Sequence, residues 1–69
     1  MEQNIYKQIE LTGTSESTIE EAVERAVAKA AQTVRNMRWF KVIETRGVIA
    51  DNQVEQWQVT VKIGFTLEE

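Results

Sequence analysis

The sequence predicts an α+β fold in the order strand, helix, strand, strand. The expected arrangement is a three-stranded antiparallel sheet, strand order 1-3-2, wrapped around one amphipathic helix. Two periodicities carry this prediction. Ile19, Ala22, Val23, Ala26, Val27, Ala30, Val34 and Met37 recur at spacings of three and four, the mark of a helix with one apolar side. Trp57, Val59, Val61, Ile63, Phe65 and Leu67 recur at spacings of two, the mark of a strand with one apolar side. Setting this last strand between the other two makes every neighbour antiparallel and gives its unbroken apolar side the central place.

The first strand is expected over residues 5–12, with Ile5, Ile9 and Leu11 on one side, interrupted by Lys7, and Tyr6, Gln8, Glu10 and Thr12 on the other. Gly13-Thr14-Ser15-Glu16 then breaks the alternation, glycine giving freedom to turn. Ser17-Thr18-Ile19-Glu20 fits a capping box, in which the serine oxygen accepts from the Glu20 backbone N–H and the glutamate reaches back. The helix is placed at about residues 18–36. Alanines at 22, 26 and 30 leave a smooth stripe on which a sheet can sit closely. Glu20, Glu21 and Glu24 gather at the positive end of its dipole and Lys29, Arg35 and Arg38 at the negative end. The second strand runs from Trp39 to Ile49. Neither of its sides is purely apolar, and Gly47 suggests a bulge or a close approach of another group. Ala50-Asp51-Asn52-Gln53 reads as a hairpin turn, since Asp and Asn tolerate the left-handed conformation a tight reversal needs.

Sixty-nine residues allow a single domain, 1–69, with a small core. The chain has no cysteine and no histidine, so disulfides, thiolate sites and the commonest zinc ligand are missing as staples. A strand of a dozen residues reaches roughly 40 Å, more than one helix can cover. Both points predict an obligate homo-oligomer whose hairpin arms lie against neighbouring subunits. No apolar run is long enough for a membrane span, and Met1-Glu2-Gln3-Asn4 does not read as a signal peptide, so the chain is expected to be cytoplasmic. A net charge of -3 with no basic stripe argues against nucleic acid as a partner. Without His or Cys, and with no Ser or Thr beside an evident base, no enzymatic reading gains support. No glycine-rich phosphate loop is present either.

Trp39, at the junction of helix and strand, must fill a core or stack on something flat, and by itself it reads as core. Four motifs in register change that. Leu11-Thr12-Gly13-Thr14-Ser15-Glu16, Arg35-Asn36-Met37-Arg38-Trp39-Phe40, Glu44-Thr45-Arg46-Gly47 and Gln58-Val59-Thr60-Val61-Lys62-Ile63-Gly64-Phe65, in this order and spacing, resemble the dodecins, small flavin-binding proteins. The resemblance implies a hollow dodecamer of βαββ subunits that stores and buffers flavin (FMN or riboflavin), binds it in pairs at subunit interfaces and quenches its photochemistry. It implies that Trp39 stacks on the isoalloxazine ring and that Gln58 hydrogen-bonds its pyrimidine end. Arg46 is implied near the flavin phosphate or its surroundings.

From the residues alone, Gln58 is a solvated strand residue, Arg46 a surface charge and Trp57, in phase with Val59, a core residue. Lys29 and Arg35 read as dipole-complementing charges, with an anion site for coenzyme A as the second reading. Thr66 stands where many bacterial dodecins carry arginine, which weighs against any phosphate or coenzyme A contact at that position. The alternative function is a structural or regulatory βαββ oligomerisation module with no flavin ligand, and the colour of the purified protein discriminates the two.

Overall fold

A computed structural model describes residues 4–67; the expectation about a leader at Met1-Glu2-Gln3 lies outside the described residues. The elements are β1 (Tyr6–Ser15), α1 (Ile19–Ala30), β2 (Met37–Ala50) and β3 (Gln53–Thr66), and the sheet is antiparallel with order β1-β3-β2, as expected. β3 is central because its alternation supplies Val59, Val61 and Ile63, all buried, to one side. Those three side chains meet Ala22, Ala26 and Ala30 of α1, and Ile9, Leu11, Val23, Val27 and Met37 pack around them. No helix among the described residues is long and apolar enough to cross a membrane.

β1 is longer than the alternation suggested, because Gly13 does not turn the chain. It continues the strand opposite Val59, and a Cβ on it would run into the Ala22 carbonyl and come within 3.0 Å of the Ala26 Cβ. Glycine here lets the helix backbone descend onto the sheet. The cap is one residue later than expected. Thr18 is the N-cap, with its hydroxyl accepting from the Glu21 backbone N–H at 3.0 Å. Glu21 does not reach back. Its carboxylate accepts from the buried Ser15 hydroxyl at 2.5 Å, and Ser15 Oγ in turn accepts from the backbone N–H groups of Ser17 (2.9 Å) and Thr18 (3.2 Å). One serine thus satisfies amides that precede the helix.

The helix ends six residues before the expected point. Thr33 N–H and Val34 N–H both bond the Ala30 carbonyl, a tightened turn, and Asn36 follows with φ 64, in the left-handed region that asparagine tolerates. The apolar spacing runs on past the end because Met37, in β2, packs against the core and Val34, in the connection, is half-buried. Arg35 and Arg38 therefore lie outside the helix, leaving Lys29 as the basic residue of its last turn. A helix of 12 residues covers about 18 Å, against about 46 Å for a 14-residue strand. Hence Trp57 is only half-buried and Leu67 is exposed, although both continue the apolar side of β3.

β2 carries three breaks of register, which leave Arg38, Ile43 and, on β3, Glu55 without a partner. Gly47 is not one of them. It pairs with Trp57, and a Cβ there would meet its nearest neighbour at 3.4 Å, an ordinary contact. The hairpin turn is as expected, with Asp51 (φ 54) and Asn52 (φ 63) both left-handed between Ala50 and Gln53, the signature of a type I′ reversal.

Candidate functional site

The face of the sheet away from α1 is polar along β3, where Gln56, Gln58, Thr60, Lys62, Gly64 and Thr66 alternate with the core residues. Trp39 joins this face through its pairing with Gly64. The bulge at Ile43 decides what else joins it. Trp39 and Arg46 are seven positions apart, so a regular strand would point them to opposite sides. With one residue absorbed at Ile43, Arg46 falls opposite Gln58, six residues along β3 from Gly64 and on the same face. Sequence reasoning missed this bulge; its trace is the mixed pattern of β2, in which Phe40, Val42 and Val48 fall at even positions and Trp39, Ile43 and Ile49 at odd ones.

The indole of Trp39 lies over Gly64. A Cβ on Gly64 would strike Cε2 and Cζ2 and approach Cδ2 to 2.8 Å. Cδ2 and Cε2 form the bond shared by the two indole rings, so the ring meets the strand with its face and not its rim. Gly64 is buried beneath it. Tyr6, across β3, sets its ring against the indole at 6.4 Å between centroids and 61° between planes. Trp39 is still 39% exposed, and with one face of the indole seated on Gly64 that exposure falls to the opposite face and the rim. Trp39 is therefore not a core residue of this chain, whereas half-buried Trp57, between Ser15 and Gly47, belongs to the helix side.

At the other end of the face, Arg46 Nε donates to Gln58 Oε1 at 2.7 Å, and Gln58 Nε2 donates to Gln56 Oε1 at 3.0 Å. Guanidinium only donates, so it fixes the amide with oxygen toward Arg46 and nitrogen toward Gln56. One lone pair and one N–H of Gln58 remain for a further partner. The arginine also lies 3.7 Å from Glu44, an exposed pair that contributes little. Between the two ends, the Thr12 and Thr60 hydroxyls are hydrogen-bonded at 2.8 Å.

The structure brings Arg46 and Gln58 together but holds both about 20 Å from Trp39, six residues at about 3.3 Å each. Arg35 and Thr66 line one hollow of about 260 Å³, and Lys29 is not among its walls. A larger hollow, about 660 Å³, lies elsewhere. It is an apolar groove between α1 and β2 with Ile19, Val23, Val27, Phe40 and Val42 among its walls. It exists because α1 packs on β1 and β3, leaving Phe40 (52% exposed) and Val42 (44% exposed) uncovered on β2.

These features define a βαββ subunit with a half-open tryptophan on its polar sheet face and an uncovered apolar groove on the other. A family model described as dodecin matches residues 5–68. A dodecin of Thermus thermophilus is 46% identical over 65 residues, 94% of each chain. The structure of dodecin from Streptomyces coelicolor superposes with a TM-score of 0.94 at 46% identity, covering 100% of this chain and 99% of that one. A crystal structure of a Thermus thermophilus protein gives 0.92 at 45% identity, covering 97% and 98%. The chain belongs to the dodecin family.

Proposed function

We propose that this chain is a flavin-binding storage protein, in which flavins are held in pairs between the Trp39 indoles of neighbouring copies while Gln58 grips the ring edge. The observation that carries the reading is the half-open indole, seated face-down on Gly64 with its other face free for a flat aromatic partner. A tricyclic ring stacked on Trp39 ends well short of the Gln58 of the same chain, about 20 Å away along the sheet. A second copy must therefore supply the hydrogen-bonding end. The amide suits the task, since its spare acceptor and donor match the adjacent C=O and N–H of a flavin's pyrimidine edge.

Assembly follows from the same geometry. The uncovered groove along Phe40 and Val42 is the surface that a neighbouring copy would cover, and the closed form expected is a hollow dodecamer within the cytoplasm, each chain one domain. Arg46 acts through Gln58, as the group that holds the amide in one orientation. Arg35 lines a hollow with Thr66 and Lys29 is not among its walls, so the two do not jointly frame an anion site for coenzyme A there. Bound against an electron-rich indole, photo-excited flavin accepts an electron that returns on recombination, so light is dissipated without net chemistry.

Titration of flavin fluorescence tests this. Wild type should extinguish the emission of FMN or riboflavin. Stacking on an aromatic face is worth roughly 1–3 kcal/mol, so Trp39→Ala should weaken binding by about one to two powers of ten. A wild-type protein that leaves flavin emission untouched would establish the alternative, an oligomerisation module without this ligand.

A further inference from the structure

We infer that Gly64 is the positioning residue for the flavin-stacking indole: having no side chain, it lets Trp39 lie flat on the sheet and so sets the depth of the gap into which a planar ligand slides. The inference rests on the flavin reading for its consequence, but its geometric part stands alone. Three ring carbons of Trp39, two of them on the bond shared by the indole rings, occupy the space a Cβ at position 64 would fill. The cause is not backbone conformation, since no glycine among the described residues has a positive φ. Alanine fits the strand itself there. What it would meet is the indole, and the indole is a rigid plate that cannot bend around a methyl group.

The contrast with the other strand glycines supports this assignment. At Gly13 the space is taken by the helix backbone, so glycine serves the fold. At Gly47 nothing lies nearer than 3.4 Å, so the position is permissive. Only at Gly64 is the occupant a side chain whose other face is open. Tyr6 bounds the indole on the side of β1, and the 61° angle between the rings makes it a rim against which the plate rests. A side chain at 64 would lift the plate off the strand, away from that rim and into the gap.

The test uses the full chain with Trp57→Phe as background, so that Trp39 is the sole indole. Gly64→Ala should shift ligand-free Trp39 emission to longer wavelength and raise its quenching by acrylamide, while Gly47→Ala changes neither. With riboflavin, Gly64→Ala should bind about tenfold more weakly, the loss of one well-seated stacking face. Unchanged emission and acrylamide quenching in a folded Gly64→Ala protein would overturn the inference. Should Gly64→Ala fail to fold, adding Trp39→Ala must restore folding, because the indole is what the methyl group meets; failure of that rescue overturns it too. If wild type takes up no riboflavin but the emission arm behaves as stated, the seat is upheld and the flavin reading falls.

Discussion

Gln58 is useful to a ligand only if its two ends are told apart, and Arg46 tells them apart. The side-chain amide is symmetric enough in shape to flip, but a guanidinium N–H at 2.7 Å can face only the oxygen. Arg46→Leu should therefore free the amide and weaken flavin binding about fivefold, near the 1 kcal/mol worth of one hydrogen bond, while leaving assembly unchanged. Calorimetric titration with riboflavin checks this. Riboflavin lacks the phosphate, so an effect confined to FMN would return Arg46 to the role of phosphate ligand. The residue types at 39, 46 and 58 were legible from the motifs, but their relation was not. Seven positions separate Trp39 from Arg46, and only the bulge at Ile43, which no single residue type announces, brings them to one face.

The docking of α1 on the sheet depends on Gly13 in β1 as much as on the alanine stripe. Two effects compete when Gly13 becomes alanine. Restricting the unfolded chain stabilises by about 0.4–1 kcal/mol, while forcing a methyl group against helix backbone costs about 1–3 kcal/mol. Since the Ala22 carbonyl is backbone and cannot step aside, the second effect wins. Gly13→Ala should lower the thermal midpoint by several degrees at fixed protein concentration, measured by circular dichroism. A raised midpoint would show that the helix has room to move. The order, type and pairing of the elements were legible because each side of β3 and α1 keeps a clean period. The ends were not. Periodicity cannot tell the last turn of a helix from a connection that is also half-buried, as Val34 is, and overlapping Ser17/Glu20 and Thr18/Glu21 boxes leave the cap ambiguous by one residue.

The chain is 54 Å long but only 14 Å thick in its shortest direction, and its helix covers less than half the length of β3. Among the described residues, six small or medium ones make up the buried apolar core. That is a narrow margin for an isolated subunit of this size. Native mass spectrometry at low concentration should show a closed homo-oligomer, twelve subunits on this account, and a folded monomer as the dominant species would contradict it. The need for association could be read from strand length against helix length; the groove along Phe40 and Val42 could not, because it depends on which strand the helix leaves uncovered. A crystal structure of the protein grown with riboflavin decides most directly between the polar face and that groove. The isoalloxazine ring is expected against the open face of Trp39, with Gln58 from a second copy at its pyrimidine edge. A ring lodged between α1 and β2, or a Trp39 covered by protein alone, would contradict it.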